Sequence, residues 1–302
     1  MTKLKIALDW TANTNHTGFY VAKEKGFYRE LGIDLEIQTP DTDNYAITPA
    51  KKVELGDVDF ALCPFESVIS YRTKQHPFEA VALATIFKED ISAIATLKSK
   101  DIKTPKELDG LVYASYKARY EDEMVRQMIK NDGGKGNIDL VYPNKLGIWD
   151  TILKGEADAT WIFSNWEGIR AKNEGIALTL FKMKDFGVPY GYSPIIMTGK
   201  TMAKKNTESY TSFLKATKRG FLYAQDHPAE AVKYIEPFVA EQDKAIDLLE
   251  SQKFTASYYG TEENWGIMEK EPIQKFFNWL NENQLETSAL RFEELVHELY
   301  AG

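Results

Sequence analysis

Residues 6–20 read IALDWTANTNHTGFY, an apolar β-strand that leads through a polar loop into a helix. The loop contains the indole of Trp10 together with amide, hydroxyl and imidazole groups. Open α/β folds place ligands at such strand-to-helix turns. An indole offers a flat face to a ring, and Asn and His side chains can hydrogen-bond to the ring's edge. The stretch therefore predicts an α/β fold with a site for a small, planar, polar molecule; a helix-capping loop is the alternative.

Composition and charge exclude several classes of protein. The chain of 302 residues is 43% hydrophobic and 27% charged, which is typical of a globular protein. Its net charge of −8 argues against binding to nucleic acid or an anionic membrane. No charged-then-apolar leader is evident, so we expect a cytoplasmic protein, or a periplasmic or cell-surface protein if a leader has been removed. The lone cysteine, Cys63, has apolar neighbours and is expected to be an inert buried thiol.

Strand and helix signals alternate in two successive units. In the first, strands are predicted at 3–9, 33–38, 58–63 and 80–85, with helices at 18–31, 46–55 and from 64 onward. In the second, strands are predicted at 111–114, 139–142, 159–163 and 176–181, with helices at 118–131, 148–154 and 165–172. This alternation predicts mostly parallel sheets covered by helices, and a single extended sheet is the alternative.

Two apolar, β-branched segments, 92–98 and 193–198, are interpreted as strands that cross between the units. The remainder, 204–302, is predicted to pack on the first lobe and to be helical, with helices at 207–226, 228–238, 243–253, 272–281 and 292–299. Together these features predict a two-lobed α/β clamshell, with lobe 1 formed by 1–91 and 199–302 and lobe 2 by 92–198. A cleft between such lobes binds a ligand and closes by hinge motion.

Several motifs resemble one family. They are Leu8-Asp9-Trp10-Thr11, Asn13-Thr14-Asn15-His16-Thr17-Gly18, Lys25-Gly26-Phe27-Tyr28, Leu31-Gly32-Ile33-Asp34-Leu35 and the more widespread Gly56-Asp57-Val58-Asp59-Phe60. They resemble the thiamine-pyrimidine family over roughly residues 3–260. The resemblance implies a type 2 periplasmic-binding-protein fold and one of two activities. One branch binds formylaminopyrimidine-type thiamine breakdown products for an ABC transporter, and the other is the yeast-type synthase of the thiamine pyrimidine phosphate.

This sequence departs in two places from the pattern that the resemblance implies for the synthase branch. The resemblance implies that the synthase needs a lysine and a histidine just after the third strand and a run of cysteines in the returning segment. Here neither Lys nor His occurs from Glu54 to Ser70, and 187–194 has no cysteine. Without a lysine amine no Schiff base can form there. The sequence therefore favours a binding protein over an enzyme, without a cofactor.

Candidate ligand-binding residues follow the predicted strands of both units. Each has an alternative role in capping, packing or solvation. One of Trp161 and Trp166 is expected to be core, and Trp166 with Glu167 is expected to face the ligand. The predicted set is Trp10, Asn13, Asn15, His16, Phe65, Glu66, Ser115, Tyr116, Arg119, Trp161, Asn165, Trp166, Glu167, Tyr190 and Tyr192. Ser115 and the free N–H groups of the helix that follows it are expected to hold an anion or a carbonyl oxygen, whereas Glu121, Asp122 and Glu123 are expected to form a solvated helix face. No Cys/His cluster has metal-ligand spacing, so no metal site is predicted.

The most favoured function is capture of a thiamine-related pyrimidine by a solute-binding protein, with an ABC transporter permease as a partner. The alternatives are a cytoplasmic enzyme of thiamine-pyrimidine biosynthesis and a binding protein for another heteroaromatic or sulfonated solute.

Overall fold

Ten strands and thirteen α-helices make up the described part of the chain, residues 1–299 of a computed structural model. The strands are β1 (Thr2–Ala7), β2 (Ile33–Gln38), β3 (Phe60–Cys63), β4 (Ala80–Thr85), β5 (Ser92–Leu97), β6 (Val112–Ala114), β7 (Asp139–Val141), β8 (Ala159–Phe163), β9 (Leu178–Phe181) and β10 (Ile195–Gly199). The helices are α1 (Thr17–Glu24), α2 (Phe27–Glu30), α3 (Pro49–Leu55), α4 (Phe65–Thr73), α5 (Glu121–Asn131), α6 (Ile148–Leu153), α7 (Glu167–Asn173), α8 (Lys200–Lys205), α9 (Thr207–Asp226), α10 (Pro228–Ile235), α11 (Leu248–Ala256), α12 (Lys270–Glu282) and α13 (Phe292–Leu295).

The chain divides into two compact units. The first comprises Met1–Asp90, Gly191–Gln274 and the chain from Thr287 onward, and the second comprises Ile91–Tyr190 and Lys275–Glu286. Helix α12 therefore begins in the first unit and continues into the second. The remaining C-terminal helices, α8–α11 and α13, belong to the first unit.

The first unit contains a sheet in the order β2-β1-β3-β10-β4. Strand β1 is parallel to β2 and β3, whereas β10 is antiparallel to both β3 and β4. Four strands thus share one direction and β10 opposes them. Strand β4 is buried along its whole length, so it reads as a continuous apolar run rather than as an alternating pattern.

The second unit repeats this arrangement in the order β7-β6-β8-β5-β9. Strands β6, β7 and β8 are parallel, and β5 is antiparallel to β8 and β9. The two segments interpreted as crossing strands form β5 and β10. Each is the first strand after the chain enters its unit, and each runs against the other four strands.

Close packing of helices gives the first unit its core. Helix α1 lies against α9, and an added Cβ on Gly220 would lie 2.0 Å from the carbonyl oxygen of Gly18. The aromatic rings of Phe19, Phe60 and Phe213 stack in this core. Glycine at position 220 is therefore required by the approach of the two helix backbones, and glycine at position 18 by the ring of Phe221 on α9.

Some predicted helices are wrong in extent. The helix expected at 18–31 is two helices, because Gly26 adopts a left-handed conformation (φ 81°) that ends the first one. The helix expected at 292–299 stops at Leu295 in α13, because Val296 forms a β-bridge to Ala82 and the N–H of His297 donates to the Ala82 carbonyl. Pairing with the edge of β4 thus replaces the last helical turn.

Candidate functional site

The predicted site residues of the first unit meet at one edge of its sheet. Strands β1 and β3 are parallel neighbours, so the loop after β1 and the start of α4 after β3 emerge at the same edge. The chain entering antiparallel β10 arrives there too, and the N–H of Phe65 donates to the carbonyl of Tyr192 at 3.0 Å. The structure therefore brings together Trp10, Asn13, Asn15, His16, Phe65, Glu66 and Tyr192.

The polar side chains of the loop after β1 hold the loop itself. The Asn13 side chain accepts from the N–H of Asn15 at 2.8 Å and donates to the carbonyl of Thr11 at 3.1 Å. The Nδ1 atom of His16 accepts from the N–H of Asn13 at 3.2 Å, which assigns the ring proton to Nε2, 2.8 Å from the Asp9 carboxylate. Asn13, Asn15 and His16 are all buried. The alternative of a solvated, capping His16 is therefore wrong in part, since the imidazole caps but is fully buried.

Side-chain hydrogen bonds also connect the loop after β1 to the C-terminal part of the first unit. The Thr14 hydroxyl lies 2.7 Å from the Ser251 hydroxyl and 3.1 Å from that of Thr255, both on α11. The loop is therefore rigidly placed, and its half-buried aromatic residue, Trp10, is held with it.

Trp10 lies beside Tyr45, which sequence reasoning missed. The two ring centroids are 6.0 Å apart and tilted by 54°, within the range of a favourable aromatic contact. The Tyr45 hydroxyl donates to the carbonyl of Asp9 at 2.7 Å. Tyr45 follows a polar segment with no periodic pattern, so no local signal in the sequence marks it.

Carboxylates cluster near these rings. Burial raises the pKa of the Cys63 thiol above its ordinary range, and the nearby charges of Asp9 and Glu66 raise it further. Burial likewise raises the pKa of Tyr45, with Asp9 contributing. Glu66 is 5% exposed, in the first turn of α4, where the helix dipole favours a negative charge. Cys63 is thus a buried, unreactive thiol, as expected.

Tyr192 supports the site from the returning chain. Its hydroxyl accepts from the N–H of Glu269 at 2.9 Å, and its side chain is buried. Its backbone carbonyl receives the N–H of Phe65, so Tyr192 ties the start of β10 to the start of α4.

The predicted anion site of the second unit is already filled by a side chain of the protein. The buried carboxylate of Glu121 accepts from the N–H groups of Tyr116 at 3.0 Å and Ala118 at 3.2 Å, and from the Tyr113 hydroxyl at 2.8 Å. The Ser115 hydroxyl donates to Asp122 at 2.6 Å and accepts from the N–H of Lys117 at 2.9 Å. Side chains of the protein thus already bond to the Ser115 hydroxyl and to the N–H groups of the turn before α5. The expectation of a solvated helix face is wrong at Glu121, which is buried.

Arg119 is paired within the second unit. Its guanidinium bonds to the buried carboxylate of Glu286, which also accepts from the Tyr120 hydroxyl at 3.2 Å. The alternative of a solvated Arg119 is wrong only in part, since the side chain is 36% exposed but its guanidinium is ion-paired. The pairing fixes the segment Lys275–Glu286 to the loop that precedes α5.

An aromatic row forms the other part of the second unit's edge. Trp161 on β8 contacts Tyr190 edge-on at 4.9 Å, and Tyr190 contacts Phe276 of α12 edge-on at 5.8 Å. Trp161 is 9% exposed and Tyr190 is half-buried, so this pair is more accessible than Trp166, the tryptophan expected to face the ligand, which is 2% exposed. Phe276 stacks with Trp279 at 6.1 Å, two residues that sequence reasoning missed because they lie far along the chain.

The chain after β8 contributes Asn165, Trp166 and Glu167, all buried. The Glu167 carboxylate accepts from the N–H of Phe163 at 3.0 Å and so closes the turn between β8 and α7. The indole N–H of Trp166 has no acceptor among residues 1–299, and the same is true of Trp149 in the core. An unpaired indole N–H therefore does not by itself distinguish a ligand-facing tryptophan here.

The described residues also bear on metal binding and on membrane insertion. Within residues 1–299, no three His, Cys, Asp or Glu side chains are grouped so that they could hold a metal ion. In the same region, no helix has both the length and the apolar character needed to cross a bilayer.

Comparison with known proteins assigns the family. The pattern described as NMT1/THI5 like matches residues 13–231, most of the chain. The chain belongs to the NMT1/THI5-like family. This confirms the resemblance that the motifs after β1 indicated.

Two sequence relatives of this NMT1/THI5-like protein have different names. The formylaminopyrimidine-binding protein of Halalkalibacterium halodurans is 26% identical over 245 residues, covering 80% of this chain and 71% of that protein. The 4-amino-5-hydroxymethyl-2-methylpyrimidine phosphate synthase of Legionella pneumophila subsp. pneumophila is 24% identical over 241 residues, covering 78% and 73%.

A solved structure shows the fold of this NMT1/THI5-like protein. A Candida albicans protein described as having the generic periplasmic binding protein structural fold matches with a TM-score of 0.71, at 15% identity, over 99% of this chain and 97% of that one. The chain has the periplasmic-binding-protein fold, as the sequence predicted.

Proposed function

We propose that this protein is a solute-binding protein for a thiamine-related aminopyrimidine. The observation that carries the proposal is the half-buried indole of Trp10, held on a rigid loop at the carboxyl edge of β1. A fixed indole binds a planar heteroaromatic ring at little entropic cost. The relative named formylaminopyrimidine-binding protein supports the choice of ligand class.

The proposed contacts use the groups gathered at the edge of the first sheet. Trp10 stacks on the pyrimidine, and the buried carboxylate of Glu66 accepts from its exocyclic amine. A carboxylate is the strong acceptor for such a group. Asn13 and His16, whose polar atoms bond within the loop, act by holding Trp10 in place.

The second unit offers aromatic and carboxylate groups of the same kind. Trp161 and Tyr190 form the more accessible aromatic pair, and Glu167 is a buried carboxylate at the same sheet edge. We propose that these residues contribute to ligand binding. Ser115, Tyr116 and Arg119 are assigned instead to holding the loop that precedes α5.

A synthase reaction is disfavoured by the residues after β3. Similar identity to both kinds of relative does not decide between them. The segment after β3 reads PFESVIS and lacks the lysine and histidine that the resemblance implies for the synthase. We therefore propose binding without chemical conversion, and we extend the proposal to an ABC transporter permease as the recipient of the ligand.

The proposal is tested by isothermal titration calorimetry with formylaminopyrimidine and with 4-amino-5-hydroxymethyl-2-methylpyrimidine. The native protein should bind at least one of them stoichiometrically. Removing an aromatic stacking partner costs about 1–3 kcal/mol. Trp10→Ala should therefore raise the Kd about 5- to 150-fold while lowering the thermal midpoint only slightly, because Trp10 is half-buried.

Phe238→Ala is the matched control, since Phe238 is an aromatic residue of the same unit that is 50% exposed. It should leave the Kd unchanged. A native protein that binds neither pyrimidine would contradict the proposed function. Unchanged affinity in Trp10→Ala would contradict the assignment of Trp10.

A further inference from the structure

The segment before α3 places a tyrosine in a conformation that tyrosine avoids. Asn44 and Tyr45 both lie in the left-handed region, with φ of 51° and 59°. Asparagine tolerates this region, but for a residue with a bulky side chain it costs free energy. The turn is held by hydrogen bonds from the N–H of Tyr45 to the carbonyl of Pro40 at 2.8 Å and from the N–H of Ala46 to that of Asp43 at 3.0 Å.

The consequence of this conformation is seen at the tyrosine side chain. The Tyr45 hydroxyl donates to the carbonyl of Asp9, which is the residue immediately before Trp10. The Tyr45 ring contacts the Trp10 indole. The carboxylate of the same Asp9 receives Nε2–H of His16. Asp9 is thus held from both sides, by Tyr45 at its backbone and by His16 at its side chain.

We propose that Tyr45 is a positioning residue of the ligand site, holding the Trp10 indole in the orientation that stacks on a planar ligand. This inference rests on the proposed function. Backbone strain that persists in a folded protein is concentrated where the strained residue serves a function. A glycine or asparagine would relieve the strain at position 45, but neither supplies a ring against Trp10 and a hydroxyl to the Asp9 carbonyl.

The experiment combines ligand binding with the state of the Trp10 ring. Protein labelled with 5-fluorotryptophan gives one ¹⁹F resonance for each of its six tryptophans, and the Trp10 signal is assigned by its loss in Trp10→Phe. Tyr45→Phe removes the hydrogen bond and keeps the ring, whereas Tyr45→Leu removes both. We expect Kd increases of about 5-fold and about 50-fold, consistent with the loss of one hydrogen bond and then of an aromatic contact.

In both variants the Trp10 resonance should shift or broaden while the other five stay in place. A double-mutant cycle with Trp10→Phe separates positioning from direct contact. If Tyr45 acts through Trp10, Tyr45→Leu should raise the Kd less than 3-fold when Trp10 is already replaced. Tyr234→Phe is the matched control, because its hydroxyl bonds to Glu230 at 3.0 Å in the same unit; it should change neither readout.

Unchanged affinity in Tyr45→Leu, additive effects in the cycle, or equal changes in all six resonances would each overturn the proposal. Failure of the proposed function looks different. In that case the native protein binds no pyrimidine, yet the ¹⁹F spectra still report whether Tyr45 fixes the Trp10 ring.

Discussion

A buried carboxylate makes the stability of a protein depend on pH, and Glu121 is such a group. Glu121 is at the start of α5 and is 2% exposed. Its carboxylate accepts hydrogen bonds from two backbone N–H groups and from the Tyr113 hydroxyl. Burial raises its pKa above the ordinary value, and these hydrogen bonds offset only part of that effect. Glu121 thus holds the loop from Ser115 to Tyr120 by hydrogen bonds, but its buried negative charge lowers the stability of the folded protein.

The sign of this effect follows from proton linkage. Below the pKa that Glu121 has in the unfolded chain, the side chain is neutral in the folded and unfolded states, and its burial does not lower the free energy of unfolding. As the pH rises, the unfolded state ionises first, so stability falls until the pH passes the raised pKa of the folded state. The measurement is thermal unfolding of the native protein and of Glu121→Gln between pH 4 and 7. The thermal midpoint of the variant should rise relative to that of the native protein as the pH rises. A difference independent of pH would contradict this.

At the scale of elements, the packing of α1 against α9 explains why residue 18, in the motif that follows β1, is a glycine. Gly18 belongs to the polar stretch after β1, and an added Cβ there would lie 2.3 Å from the Phe221 ring. Across the interface, Gly220 meets the backbone of Gly18. The glycine in this motif therefore serves helix packing, while Trp10 in the same motif is a candidate ligand contact.

Gly220→Ala should destabilise the first unit. The new methyl group would lie 2.0 Å from the Gly18 carbonyl oxygen, so the two helix backbones must move apart. Overpacking of this kind costs about 1–3 kcal/mol. Urea unfolding is the measurement, with Gly147→Ala as the control because an added Cβ at Gly147 meets nothing within 4 Å. Equal stability of the two variants would contradict the packing argument.

At the scale of the whole molecule, the two units are built on the same plan. Each has four strands in one direction and one opposing strand that follows a passage of the chain from the other unit. Each presents a tryptophan and a buried carboxylate in the segments at the carboxyl edge of its parallel strands. The expectation that both units bind one ligand stays a prediction.

That prediction is tested by one substitution in each unit. Trp10→Ala and Glu167→Gln should each weaken binding of the same pyrimidine at least 5-fold by calorimetry. Glutamine keeps an acceptor for the N–H of Phe163, so the thermal midpoint of Glu167→Gln should change little. Glu174→Gln, at the exposed residue that follows the same helix, should bind as the native protein does. If only the Trp10 variant is impaired, the ligand is held by the first unit alone.

Local pattern in the sequence was sufficient for much of the fold. Apolar runs and turn residues located strands β4 and β8 and helix α9 with the bounds that the structure has. The motif around Trp10 indicated the family, which the match over residues 13–231 confirms. These features depend on residues close together in the chain, so periodicity and composition reveal them.

The tertiary structure decided which polar groups remain available to a ligand. Glu121 fills the predicted anion site, and Glu286 pairs with Arg119 from 167 residues away. Tyr45 reaches Asp9 across 36 residues, and Phe276 of α12 contacts Tyr190, which lies in a distant part of the sequence. Hydrogen-bond partners are chosen by distance in space, and a sequence shows only distance along the chain. The sequence therefore determined the family, the fold and the edges of the sheets, whereas folding determined which side chains at those edges hold the protein together.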